Sequence, residues 1–259
     1  MSKQPIGIFD SGVGGTSIWK EIQALLPHEN MIYLADSKNA PYGPKGKQAI
    51  IDLSIKNTEY LIVQGCKLIV VACNTATTNA IDYLRKNYET PFIGIEPAIK
   101  PAALNSKTHT IGILATKGTL SSELFHKTAH LFASDSKIIE QEGHGIVELI
   151  EDGKLHSEAM TGLLEVYLKP MIDADIDYLV LGCTHYPYLI PILLKILPKC
   201  IKIIDSGEAV ARQTKAVLIQ HNLLNQSTKK GKSTLFTNAN PQVITTLLGA
   251  SNDISYLDF

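Results

Sequence analysis

Cys73 and Cys183 are the residues whose setting could do chemistry. Cys73 closes the apolar run of Ile69-Val-Val-Ala-Cys-Asn-Thr-Ala-Thr-Thr78, and Cys183 closes that of Leu179-Val-Leu-Gly-Cys-Thr-His-Tyr-Pro187. An aliphatic run that ends on small polar residues reads as a buried parallel strand emptying into a loop. In open α/β sheets the loops at the carboxyl ends of strands form the binding crevice. Two strands that each deliver a thiol there could flank a bound molecule from opposite sides. Moving a proton off one face of a carbon and onto the other needs a base and an acid so placed. Cysteine suits both roles, because its free pKa of about 8.5 lies close to neutrality. Asp10, at the end of a strand, would assist Cys73, and His185, two residues after Cys183, would assist that thiol. Ser11, Asn74, Thr75 and Thr184 could fix the carboxylates and amine of a substrate. The chemistry expected is proton transfer at a stereocentre of a small polar molecule, without a cofactor.

Other uses of these residues fit less well. Two thiols so far apart in sequence with one nearby histidine make an incomplete zinc set, so no metal is expected. A disulfide oxidoreductase would bring its pair together as C-x-x-C, which the chain lacks. A hydrolase or phosphatase with one nucleophile would leave the second cysteine idle. Cys66 and Cys200 read as ordinary small hydrophobes, and His126 and His130, four apart on a predicted helix, read as surface residues. Asp10-Ser-Gly-Val-Gly-Gly15 permits a tight strand-to-helix turn with free N–H groups at a helix start. It is not G-x-G-x-x-G, since Ser17 stands where the third glycine would be, and no Walker lysine follows.

The elements that must position these groups alternate along the chain. Strands are expected at 6–9, 31–35, 69–72 and 92–95, with helices over 16–26, 47–64 and 78–87 between them. The turn-rich stretch from Asp36 to Gly46 follows the second strand and carries Tyr42 and Gly43 to the same rim as Asp10 and Cys73. The pattern then restarts: Ile111-Gly-Ile-Leu114 echoes Ile6-Gly-Ile-Phe9, at nearly the interval that separates the two cysteines. That coincidence points to an internal duplication. The fold expected is α/β, with two pseudo-symmetric domains built on mainly parallel sheets and the active site in the cleft between them. A final strand at 233–237 and helix at 241–248 add one βα pair that the second copy does not need. The first domain is therefore expected to be discontinuous, over 1–96 and 207–259, with the second over 97–206.

Composition narrows the class. With 259 residues, 45% hydrophobic and 19% charged, this is the composition of a globular protein. A formal net charge of −1 offers no broad basic surface for nucleic acid, and Lys229-Lys230-Gly-Lys232 is the only basic cluster. No apolar stretch is long enough for a membrane span, and the N-terminus shows no signal-peptide core. Four sparse cysteines suit a reducing cytoplasm.

Val71-Ala-Cys-Asn-Thr-Ala-Thr77 and Leu179-Val-Leu-Gly-Cys-Thr-His-Tyr-Pro187 resemble the two signature segments of the aspartate/glutamate racemase family. Phe9-Asp-Ser-Gly-Val-Gly-Gly15 and Pro41-Tyr-Gly43 strengthen the resemblance, which covers nearly the whole chain. It implies cofactor-independent interconversion of L- and D-glutamate, supplying D-glutamate for peptidoglycan. In that scheme Cys73 acts on D-glutamate and Cys183 on L-glutamate. Asp10, Ser11, Tyr42, Gly43, Asn74, Thr75, Thr184 and His185 contact the substrate, and Glu151, Thr116 and Thr119 stand near it. A homodimer is implied too. Ala115-Thr116 departs from the more usual Gly-Thr. The first strand begins almost at once, so the resemblance implies no N-terminal extension of the kind that some members use for activation by a cell-wall precursor. Alternatives on the same residues are an aspartate or hydantoin racemase, or an amino-acid-binding module, although a mere pocket has no need of two thiols.

Overall fold

The computed structural model describes residues 2–259. In chain order the elements of the first half are β1 (Ile6–Asp10), α1 (Thr16–Leu25), β2 (Met31–Ala35), α2 (Lys47–Val63), β3 (Leu68–Val71), α3 (Asn74–Asn87) and β4 (Phe92–Gly94). Then follow α4 (Ile99–Asn105), β5 (Thr110–Ala115), α5 (Lys117–Leu120), α6 (Glu123–Phe132), β6 (Lys137–Glu142), α7 (Ile146–Glu151), α8 (Glu158–Asp173), β7 (Tyr178–Gly182), α9 (Ile190–Ile196) and β8 (Lys202–Ile204). The chain closes with α10 (Gly207–Gln220), β9 (Ser233–Thr237), α11 (Pro241–Leu248) and β10 (Asp253–Tyr256).

Two wholly parallel sheets result, ordered β10-β9-β2-β1-β3-β4 and β6-β5-β7-β8. The run β2-β1-β3-β4 repeats as β6-β5-β7-β8, which is the duplication expressed as topology. The central strands β1, β3 and β7 are buried along their whole length, as strands covered by helices on both faces must be. One apolar cluster is continuous between the two sheets, joining Ile8, Val13 and Ile22 to Ile146, Leu164 and Leu181. Each sheet also has a cluster of its own.

The C-terminal segment returns to the first sheet, where β9 pairs with β2 in the register Ala35↔Thr237. It supplies two strands, β9 and β10, rather than the single βα pair expected; Asp253–Tyr256 is half-buried at the edge, so its sequence lacks a sustained apolar run. Helix α3 also starts four residues earlier than its pattern suggested, because Cys73 caps it: Cys73 Sγ accepts the Ala76 N–H at 3.4 Å. At the amino edge of the first sheet, Lys67 Nζ lies 2.5 Å from Glu29 Oε2, both side chains almost wholly buried. Lys67 also donates to the carbonyls of Ser2 (2.6 Å) and Leu223 (2.9 Å), and Glu29 Oε1 accepts the Asn225 N–H at 2.7 Å. This pair rivets the returning chain to the sheet, and with its hydrogen-bonding capacity met the burial of two charges is tolerable.

Candidate active site

Parallel register decides which side chains meet. Phe9 pairs with Val71 and Asp10 with Ala35, so Asp10, Asp36 and the Ala72-Cys73 step emerge at one edge of the first sheet. In the second sheet Ala115 pairs with Gly182, so Thr116 and Cys183 emerge together. The two edges face each other across a narrow cavity walled by Ser11, Tyr42, Gly43, Cys73, Asn74, Thr75, Cys183, Thr184 and His185, with Pro41, Thr116 and Val147 completing it. Every residue expected to touch a substrate lines this cavity except Asp10. Its carboxylate is fully buried behind the wall, where Oδ2 accepts the Gly15 N–H (2.8 Å) and Oδ1 accepts the Thr184 hydroxyl (3.3 Å) from the other half.

The Cys73 side is acidic. Its Sγ is 3.6 Å from Ser11 Oγ. Burial and the neighbouring Asp10 carboxylate push the Cys73 thiol well above its ordinary value, against the pull of the Ala76 N–H and Ser11. Burial likewise raises Asp10, opposed by the His185 charge and the Gly15 N–H.

The Cys183 side carries an imidazole paired with a carboxylate. His185 Nδ1 lies 3.7 Å from Cys183 Sγ, and Nε2 lies 2.6 Å from Glu151 Oε1. Burial would pull His185 down, but hydrogen bonds to Cys183 and Glu151, with their charges, outweigh it and hold the ring well above the usual histidine range. Both ring nitrogens then donate. The Gly14 N–H also approaches Nε2 at 3.3 Å, a contact only a neutral ring could accept; the shorter pair with the carboxylate governs. Glu151 Oε1 further accepts the Val13 N–H at 2.6 Å, tying the glycine turn of the first half to α7 of the second. A Cβ at position 12 would fall on the Glu151 carboxylate, so any side chain there would displace it from His185 and Val13.

Between these sides runs a neutral seam. Thr75 Oγ1 is 2.8 Å from Thr116 Oγ1 and 3.4 Å from Thr119 Oγ1. Gly118 lies so near Gly43 that a Cβ would sit 3.1 Å from the Gly43 carbonyl oxygen. Asn74 is buried, and neither its amide nitrogen nor its oxygen has a partner within the protein. Buried amides are nearly always hydrogen-bonded, so Asn74 offers one donor group and one acceptor to whatever occupies the cavity. Among the described residues no cluster of three metal-ligating side chains occurs, and no helix is long and apolar enough to cross a membrane.

Sequence reasoning missed Pro41, Val147, Asp36 and Asn238. Val147 carries no chemical signal. Asp36 follows a strand end as Asp10 does, and that rule would have found it. Residues 15–214 match the profile of the Asp/Glu/Hydantoin racemase family, and the chain belongs to that family. Within it, glutamate racemase of Herpetosiphon aurantiacus is 44% identical over 241 residues, which cover 93% of this chain and 95% of that one. Among solved structures, glutamate racemase isoform RacE1 from Bacillus anthracis superposes with a TM-score of 0.89 at 29% identity, covering 100% of this chain and 98% of that one. Escherichia coli glutamate racemase in complex with L-glutamate and activator UDP-MurNAc-ala gives 0.85 at 34% identity, covering 98% and 97%.

Proposed function

We propose that this enzyme interconverts L- and D-glutamate by a two-base mechanism in which Cys73 and Cys183 exchange protons with opposite faces of Cα. The observation that carries it is the pairing of two buried thiols on equivalent strand ends, one beside a carboxylate and the other beside an imidazolium, around a single cavity. The glutamate assignment draws on the shared activity of the relatives named above.

Starting from L-glutamate, the Cys183 sulfur takes the Cα proton, and the His185 cation stabilises its negative charge before the transfer. The Cα–H bond breaks, its electron pair is left on Cα, and the Cys73 thiol gives its proton to the opposite face. Cys73 is then thiolate and Cys183 thiol, and the reverse reaction begins from that state. Asn74, Ser11, Thr75, Thr184 and the backbone at Tyr42-Gly43 hold the carboxylates and the ammonium, so that only Cα lies between the sulfurs. The closed walls leave about 10 Å³, room for a single water, so glutamate is admitted when the two halves part. We divide those halves at 1–96 with 207–259, and 97–206. The D-glutamate serves peptidoglycan synthesis in the cytoplasm, where thiols stay reduced; the activator UDP-MurNAc-ala bound to the Escherichia coli relative supports that destination.

The test is L-glutamate in heavy water, sampled at early conversion. With two bases, the new D-glutamate carries deuterium at Cα while the remaining L-glutamate keeps protium. Deuterium entering both enantiomers at equal rates would show a single base and sink the mechanism.

A further inference from the structure

Strand or helix ends supply most of the cavity wall, but Tyr42 and Gly43 sit on the connection between β2 and α2, at 36–46. A connection of that kind holds a wall in place only if something anchors it. The anchor is Asp36, whose side chain is fully buried. Its Oδ2 accepts the Tyr42 hydroxyl at 2.6 Å, and the same phenol oxygen accepts Asn57 Nδ2 at 3.1 Å. Its Oδ1 takes Asn39 Nδ2 at 2.9 Å, Lys56 Nζ at 3.2 Å and Asn238 Nδ2 at 2.5 Å. Its backbone N–H donates to the Asp10 carbonyl at 3.0 Å. Fully buried and holding four donors, this carboxylate stands behind the cavity wall rather than in it.

Asn238 is the distant member. It follows β9, and because Ala35 pairs with Thr237, Asp36 and Asn238 leave the sheet side by side. Its amide nitrogen holds Asp36 while its Oδ1 accepts the Lys38 N–H at 2.9 Å, so one side chain grips the connection at two points. Asn238 lies beyond the segment that matches the family profile, which ends at residue 214.

We propose that Asp36 and Asn238 are positioning residues that clamp the Tyr42-Gly43 wall, making the turn after β9 a working part of the substrate site. The proposal rests on the two-cysteine reading for its kinetic consequence, but the clamp itself has an independent readout. Neither residue touches the reacting carbon, so loosening the clamp weakens binding of both enantiomers and leaves the proton transfers largely intact.

The experiment compares Asn238→Ala, Tyr42→Phe and the double variant with the parent enzyme. Asn238→Ala is expected to raise KM for L- and D-glutamate together, about tenfold, as misplacement of a positioning group does, with kcat altered much less. Asn238→Ala and Tyr42→Phe combined are expected to cost less than the product of the single effects, since both act through Asp36. Amide hydrogen exchange over 38–45 is expected to quicken in Asn238→Ala while that of β9 stays slow, and this holds whether or not glutamate is the substrate. If Asn238→Ala folds poorly, Asn238→Asp keeps the size and the acceptor for the Lys38 N–H but sets a carboxylate against Asp36, and is expected to raise KM for both enantiomers in the same way. An unchanged KM, independent effects of the two substitutions, or unaltered exchange over 38–45 overturns the clamp. Failure of the parent enzyme to racemise glutamate, with faster exchange over 38–45 in Asn238→Ala, overturns the functional reading alone.

Discussion

Cys73 and Cys183 occupy the same place in two copies of one topology, each just past the third strand of its sheet in chain order. Their surroundings have diverged. Cys73 caps the 14-residue helix α3 and lies among Asp10, Ser11 and an N–H donor. Cys183 leads into a short 3-10 turn and faces His185, itself held by Glu151. Duplication supplies two thiols at matched positions on opposing walls; the neighbours then set a buried carboxylate beside one and a histidine–glutamate pair beside the other. A two-base racemase needs that difference, because one sulfur must hold a proton while the other lacks it. Each group also relies on the other half: Asp10 is held by Thr184, and Glu151 by the Val13 N–H. Each thiol's neighbours come from its own half, and closing the halves adds one hydrogen bond to each of the two carboxylates.

The largest effect should come from removing either sulfur. Cys73→Ala and Cys183→Ala are each expected to lose about 10³-fold or more in racemisation, the scale of a lost general acid or base, read by circular dichroism of either enantiomer. If one variant keeps near-parent turnover, the walls are not equivalent partners and the comparison fails.

Removing the assistants should sharpen the difference between the walls. Asp10→Asn and His185→Asn are each expected to cost about 10²-fold. Because the two enantiomers are equal in energy, kcat/KM must fall equally in both directions, so the asymmetry has to be sought in isotope effects. With His185→Asn, Cα-deuterated L-glutamate should show the larger primary effect; with Asp10→Asn, Cα-deuterated D-glutamate should. Identical isotope effects in both variants would deny that each assistant serves its own thiol.

The charge on one wall should also be visible in stability. Folding raises His185 above its ordinary 6.5, so the folded state binds its proton more tightly than the unfolded chain. The resulting stabilisation is complete below about pH 6.5 and is lost as pH rises through the folded value. Thermal melting across that window should fall with rising pH in the parent and stay flatter in His185→Asn. Equal slopes would mean that the ring is neutral in the fold.

The smallest effect is expected at the neutral seam. Thr75→Val keeps the shape and removes the hydroxyl that bonds Thr116 and Thr119 across the halves and faces the substrate; about a fivefold loss is expected, consistent with the net worth of one hydrogen bond, shared by both directions and without a directional isotope effect. A loss as large as that of Asp10→Asn would move Thr75 from the seam to the chemistry.

Much of this was legible because strand ends announce themselves. The runs into Asp10, Cys73 and Cys183 are apolar throughout, since each strand is covered on both faces, and the polar residue that stops each run is the one delivered to the crevice. The return of the chain to the first sheet after β8 was legible as a surplus βα unit. Helix α3 was read as beginning too late, because Asn74-Thr75-Ala-Thr-Thr78 is poor in strong helix formers and the sulfur cap has no familiar signature. Strand β10 was missed because a half-buried edge strand carries only a broken apolar pattern. Asn238 was out of reach for another reason: an asparagine after a strand is ordinary turn chemistry, and only the register of β9 against β2 sets it beside Asp36.

Sequence by itself determined the two thiols, the parallel strands that carry them and the duplication that relates them, because each of these is written in local runs and in their spacing. Tertiary structure alone decided that Asp10 stands behind the wall, that Glu151 pairs with His185 beneath the Gly12 turn, and that Asn238 reaches the Tyr42 connection. These are meetings between residues far apart in the chain. Strand register and the packing of helices on each sheet set their distances, and those distances decide which groups stand beside each sulfur.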